Sequence, residues 1–436
     1  MGDFVKLSPD KKHLELNGQP FRIVGANSYH VQTHGADNDG GSGRQNIAKL
    51  LKVAKQEGVN VLRIWAHSEH CEEFKWWDHQ KNDWIPFSNT WKIIQKQPTP
   101  DGTWYKPNID PDGIDGLDWV VAEAGKLGIK LIMSLTNYWN DYGGMPQYAR
   151  WATGKKDGLE RDMQEEFLRN GNAQSMLKAY IQFLLNRENP YTNKLYKDDP
   201  TILAWSLANE PRGGGDTSGN RLDDWIKDTT DYIRSVDKNH LITVDTEGFF
   251  IRDDKVEIGP DEKIDIKVDY MNPGERSEGC DFLRNASHPN VDFACIHMYQ
   301  EKWAPDYAKS FHCQSHSFPI QGDGNDAQQW KWIYKWLDVH LAICKKKLQK
   351  PLVLSEFSEI AYNDDFAKRR EFLKKVYRWL EKGMYSNDFV AGSCYWMICE
   401  DNYKNSDGDS ESELIDHAKK FPVVKAAAPT PNVAAQ

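Results

Sequence analysis

Eight short apolar runs, each ending in polar or aromatic residues, alternate with segments of helical spacing along this chain. The runs are Phe21–Asn27, Val59–Trp65, Ile129–Thr136, Ile202–Asn209, Leu241–Asp245, Val291–Tyr299, Pro351–Phe357 and Phe389–Trp396. Helical spacing covers Ile47–Gln56 and Ile114–Lys126, then residues 172–187, 220–236, 327–346 and 364–382. Runs such as Ile202–Ala208 carry no alternation, as expected of parallel strands covered on both faces. The alternation predicts an α/β protein, a (β/α)8 TIM barrel rather than a doubly wound sheet. A hairpin is expected over residues 4–20, where Ser8-Pro9-Asp10 and Asn17-Gly18 supply turn chemistry. No linker, repeat or low-complexity run interrupts the chain before residue 424. A single domain with extended βα loops is therefore expected over 1–424, followed by a disordered tail, 425–436.

The polar residues at the strand ends carry the candidate chemistry, because in a barrel these ends converge on one mouth. They are Arg63, Asn137, Asn209 with Glu210, Glu247, His297 with Tyr299, Glu356 and Trp396. Each has a plain alternative: Arg63 a salt-bridging residue, His297 a satisfied core histidine, Glu247 a solvated loop acid, Trp396 core. The set is more specific than its members, since a carboxyl at the tip of a buried strand needs a partner or a task. Two carboxyls, a fixed cation, a His-x-Tyr pair and a Trp suggest glycoside cleavage. That reaction needs one protonated carboxyl to assist the leaving oxygen and one ionised carboxyl to attack the anomeric carbon. Burial and a neighbouring like charge raise the first; Arg63 and a Tyr hydroxyl hold the second ionised.

Composition narrows the partners. Lys and Arg number 55 against 65 Asp and Glu, for a net charge of -10. This argues against nucleic acid or an anionic membrane surface and suits a neutral substrate. No run approaches the roughly 20 apolar residues of a membrane span. Five of the 17 Trp, namely Trp76, Trp77, Trp84, Trp91 and Trp104, fall in one polar stretch, where sugar stacking and plain loop packing both remain open. Seven Cys include no CxxC spacing, and Cys295 and Cys394 lie in apolar runs where buried free thiols are expected.

Other motifs fail on spacing. Gly40-Gly41-Ser42-Gly43 lacks the Gly-Lys-Ser/Thr end of a phosphate loop. His67-Ser68-Glu69-His70 lacks the one-turn histidine spacing of a zinc helix. Asp401–Glu413 breaks the calcium-loop pattern and reads as a solvated loop. No Gly-x-Ser-x-Gly occurs. No metal and no cofactor are expected, and a monomer is. The N-terminal stretch Met1–Lys6 has no apolar signal region. That points to the cell interior if Met1 is the native start, and to secretion if a leader preceded it.

The ordered series Arg63-Ile64-Trp65, Asn209-Glu210-Pro211, His297-Met298-Tyr299, Ser355-Glu356-Phe357 and Tyr395-Trp396 resembles glycoside hydrolase family 5. Asn137-Tyr138-Trp139 with Asp141–Gly144, and Thr246–Phe250, are similar to its β-mannanase/β-mannosidase branch. The resemblance covers about residues 4–420. It implies Glu210 as acid/base and Glu356 as nucleophile, with Asn209 on the sugar 2-hydroxyl and Arg63 and Tyr299 supporting Glu356. It also implies a sugar subsite lined by His297 and Trp396, with Trp65, Asn137, Trp139, Glu247 and Trp303 as further substrate-binding candidates. The implied substrate is a manno-oligosaccharide or mannan. Two long segments, 67–114 and Trp303–Asp326, follow strands and would sit at the mouth. If they wall off the cleft, exo cleavage by a β-mannosidase is favoured over endo-mannanase action, with transglycosylation as an added activity. Glucan cleavage and a non-catalytic sugar-binding barrel are the remaining alternatives.

Overall fold

The computed structural model describes residues 3–36, 42–69, 75–78, 83–86, 94–95, 106–107, 113–155, 158–251, 255–257, 263–265, 278–300, 326–358, 366–398 and 408–421. Eight parallel strands form one sheet: β1 (Ile23–Asn27), β2 (Val61–Trp65), β3 (Lys130–Ser134), β4 (Ile202–Asn209), β5 (Leu241–Asp245), β6 (Ala294–Met298), β7 (Leu352–Phe357) and β8 (Val390–Tyr395). They pair in the order β5-β4-β3-β2-β1-β8-β7-β6. The sheet closes between its two end strands, where the Asp292 N–H donates to Ile242 O (2.8 Å) and the His297 N–H to Glu247 O (3.2 Å). The fold is the expected (β/α)8 barrel.

Strand β2 shows how sequence becomes architecture. Leu62 and Ile64 pack outward in the layer between sheet and helices. Val61 points inward and joins Ile23, Ile132, Leu203, Val353 and Cys394 in the inner core. Arg63 and Trp65 follow on the same inward face at period two, so the barrel interior turns from apolar to polar toward the strand C-termini. A three-stranded sheet (Lys6–Leu7, Leu14–Leu16, Gln19–Phe21) seals the other end, with Val5, Leu14 and Phe21 buried in the inner core. The hairpin expected over 4–20 thus gains a third strand. Gly392 is needed in β8 because its φ is +137° and a Cβ there would lie 2.0 Å from the Ile23 carbonyl oxygen.

The outer layer includes α1 (Ser42–Gln56), α2 (Asp115–Leu127), α3 (Gly144–Thr153), α4 (Glu160–Arg169), α5 (Gly171–Asn186), α6 (Asn220–Val236), α7 (Asp326–Ile343), α8 (Phe366–Ser386) and α9 (Gly408–Lys420). Helix α5 is capped by Asn170, whose side chain accepts from the N–H groups of Asn172 and Ala173. Helix α2 ends at Gly128 in the left-handed conformation.

Two expectations change. Between Gly143 and residue 172, where no helical spacing was read, the chain forms α3 and α4. Helix α4 is so charged that Met163, Phe167 and Leu168, its buried side, leave a narrow apolar signal. The acidic stretch Asp401–Glu413, read as a solvated loop, runs at its end into α9, which buries Leu414, His417 and Ala418. Cys280, Cys295, Cys344 and Cys394 are free and buried. Residues 425–436, Trp303 and the side chains of Trp76, Trp77, Trp84, Trp91 and Trp104 lie outside the described residues, as does nearly all of Trp303–Asp326. No described helix is long and apolar enough to cross a membrane.

Candidate active site

The strand ends bring Glu210 and Glu356 together. The run Ile202–Asn209 is entirely buried, so the chain can deliver Glu210 only where the strand stops. Glu210 itself has a φ of +48°, a left-handed conformation that costs a non-glycine residue on the order of 1 kcal/mol or more. Its N–H is held by the Asp245 carbonyl at 2.9 Å. Glu356 lies within β7 and is 5% exposed. One oxygen of each carboxylate and a nitrogen of His297 all lie within 4.8 Å of one another.

The two carboxylates have different partners. Glu356 Oε2 accepts from Arg63 Nη1 at 3.0 Å, and Oε1 accepts from the Tyr299 hydroxyl at 2.5 Å. Glu210 Oε1 pairs with His297 Nδ1 at 2.8 Å, and Oε2 accepts from Trp139 Nε1 at 2.8 Å. His297 Nδ1 is also 3.7 Å from Glu356 Oε2, so the imidazole bridges the pair rather than standing apart as core filling. Burial raises Glu356, and the Glu210 charge adds to that against the pull of His297, Arg63 and Tyr299; the balance is upward. Burial also pushes Glu210 up, but the hydrogen bond and charge of His297, helped by Arg212 and Trp139, pull it well below the usual carboxylate range. For His297, burial opposes the charge, yet Glu356 and Glu210 raise it above its ordinary value. Glu210 low and His297 high together describe one proton held between carboxylate and imidazole, a property of the pair.

Arg63 is the hub beneath them. Its Nε donates to Asp245 Oδ2 (3.0 Å), Nη1 to Asn27 Oδ1 (2.8 Å) as well as Glu356, and Nη2 to Asn209 Oδ1 (2.6 Å). Asn209 Nδ2 in turn donates to Asn137 Oδ1 at 3.1 Å. The whole network is desolvated, so each charge depends on these partners.

Glu247 is no solvated acid. It is 3% exposed and takes both arms of Arg212. Burial, then the Glu210 charge, pushes it up to about 7 despite that partner. The Arg212 guanidinium also lies 5.0 Å from the Trp139 ring centre and 5.3 Å from that of Phe249. On another flank, Trp396 stacks on Tyr29 (5.5 Å, 12°), and Tyr29 contacts Trp65 (5.1 Å). Trp65 is almost wholly buried, whereas Trp396 is half-buried.

Sequence reasoning missed Asn27, Tyr29, Arg212 and Asp245. Asn27 and Asp245 end apolar strands just as Asn209 does, and that shared position is the signal that could have found them. Arg212 lies in the loop after Glu210, where only the fold reveals its partner.

Paired carboxyls with these partners at the C-terminal mouth of a parallel barrel define a glycoside hydrolase. A family model described as "GH family 5 beta-mannosidase-like" matches residues 2–400, and the chain belongs to glycoside hydrolase family 5, in its mannanase/mannosidase branch. Mannan endo-1,4-beta-mannosidase 1 of Arabidopsis thaliana is 33% identical over 386 residues, spanning 88% of this chain and 79% of the relative. Mannan endo-1,4-beta-mannosidase 8 of Oryza sativa subsp. japonica is 31% identical over 399 residues, spanning 90% and 91%. The solved endo-1,4-beta-mannanase from Rhizomucor miehei superposes with a TM-score of 0.67 at 25% identity, covering 96% of this chain and 99% of that one. The expected preference for exo cleavage finds no support here. It rested on mouth segments that fall almost wholly outside the described residues, whereas these relatives are named as endo enzymes.

Proposed function

We propose that the protein cleaves internal β-1,4-mannosidic bonds of mannans and manno-oligosaccharides by double displacement. The observation that carries the chemistry is the approach of Glu210 and Glu356 to within 4.8 Å, close to the roughly 5 Å at which one carboxylate attacks directly. Glu356 attacks the anomeric carbon while Glu210 transfers its shared proton to the departing oxygen. The glycosidic C–O bond breaks and a glycosyl–Glu356 ester forms. Glu210, now a base, removes a proton from water, which displaces Glu356 at the same carbon. Tyr299 and Arg63 occupy one oxygen each of Glu356, which fixes its plane for attack.

Trp139 and His297 aim Glu210, and Trp396 offers a half-buried aromatic face suited to a sugar ring. Endo action is supported by the relatives' names. The test is a time course of products from mannohexaose, separated by size. Mannobiose, mannotriose and mannotetraose appearing first are expected. Mannose appearing first with a five-sugar remainder would overturn endo action.

A further inference from the structure

Arg63 serves two carboxylates at once. Asp245 and Arg63 both have fully enclosed side chains, and their Nε–Oδ2 contact is 3.0 Å. Glu356 shares the same guanidinium through Nη1. We propose that Asp245 is a positioning residue for the reaction: by holding Arg63 at Nε it aims the guanidinium at Glu356 and limits how much positive charge the nucleophile feels.

The geometry supplies the reason. A guanidinium is planar, so fixing Nε together with Nη1 on Asn27 and Nη2 on Asn209 leaves one orientation for the N–H that meets Glu356. Without Asp245 the positive charge would fall on Glu356 alone among its buried acidic neighbours. A carboxylate paired with an uncompensated buried cation is a poorer base and a poorer nucleophile. Asp245 divides that charge.

The same residue also mounts the other carboxyl. The Asp245 carbonyl accepts the N–H of Glu210, the residue with φ +48°. Strand β5 thus fixes the acid through its backbone and the nucleophile through its side chain. Burial raises Asp245, but the charge of Arg63, followed by that of His297, holds it at about 2, so it stays ionised whenever the enzyme works.

The test compares wild type with Asp245→Asn on mannohexaose across pH. Besides Asp245 through Arg63, the groups that face Glu356 are Arg63 from β2, Glu210 at the end of β4, and His297 and Tyr299 from β6 and its end. The expected result is a kcat at least tenfold lower with KM little changed. The acid limb of the kcat/KM profile should also move to lower pH by half a unit or more. A fall in activity with an unmoved acid limb, or an unchanged kcat, would overturn the proposal.

If the variant does not fold, Glu356→Ala labelled with ¹⁵N-arginine decides instead. Arg63 Nε–H should remain slowly exchanging without Glu356, because Asp245 holds it. Fast exchange would overturn the proposal. The inference rests on Glu356 as nucleophile; turnover by Glu356→Ala would sink that assignment and, with it, this inference, whereas the Asp245 variant can fail alone.

Discussion

Arg212 meets Glu247 in a two-point hydrogen bond, Nε to Oε2 and Nη2 to Oε1, each 2.6 Å. The pair stands one residue contact away from the reaction, because the Arg212 guanidinium covers the ring of Trp139 and Trp139 donates to Glu210. Glu247 was legible as a strand-end candidate, and Trp139 through the family resemblance. Arg212, which connects them, was not.

Removing Arg212 should be costly in a pH-dependent way. Glu247 already sits at about 7 with its partner, so in Arg212→Ala it goes higher and is protonated in the folded state. The unfolded chain ionises the same group near 4.5. The folded state then holds a proton that the unfolded state releases, so stability falls as pH rises above 4.5. Wild type already holds that proton up to about pH 7, so in thermal unfolding the loss relative to wild type should stay roughly constant from pH 5 to 7 and grow by about 1.4 kcal/mol per pH unit above 7. A pH-independent loss would contradict this account.

The two carboxyls should separate by substrate. Glu356→Ala should lower kcat by about 10⁴-fold or more, with binding of mannohexaose and the melting temperature retained. Glu210→Ala should lose about 10²–10⁴-fold on mannan, yet keep much of its first step on aryl glycosides whose leaving group needs no proton. Equal losses on both substrates would refute Glu210 as the acid.

Activity should follow a bell against pH. On the proposed mechanism it needs Glu356 ionised and one proton on the Glu210–His297 pair. Glu356 is raised by burial and Glu210, so the acid limb should lie above the ordinary 4.5. Burial lowers His297, but Glu356 and Glu210 more than offset it, so the alkaline limb should lie above the ordinary 6.5. Activity is lost as pH falls through the first and as it rises through the second. Initial rates of kcat/KM from pH 3 to 10 give both midpoints. An alkaline midpoint below 6.5 would count against the shared proton.

Gly392→Ala tests the barrel itself. The added methyl would meet the Ile23 carbonyl oxygen at 2.0 Å, and backbone cannot step aside as a side chain can. With the unfavourable φ of +137° added, the loss should reach about 3 kcal/mol or more, read by denaturant unfolding. A stable variant would mean that the β1–β8 seam is looser than described.

The sequence by itself determined the barrel, its eight strands and the strand-end position of Glu210 and Glu356. Buried parallel strands are continuous apolar runs, and a polar residue that ends one is visible without coordinates. Helices α4 and α9 were less legible, since charged residues dominate their composition and their buried sides are narrow. Only the tertiary structure decided which polar residue answers which. Arg63 reaches Asp245, Asn209 and Glu356 across 146 to 293 residues of chain. Such pairings follow from barrel closure and inward side-chain direction, quantities that spacing along one strand does not contain. For the same reason His297 was visible as a strand-end residue, but its place between two carboxyls, and hence its shared proton, required the closed barrel.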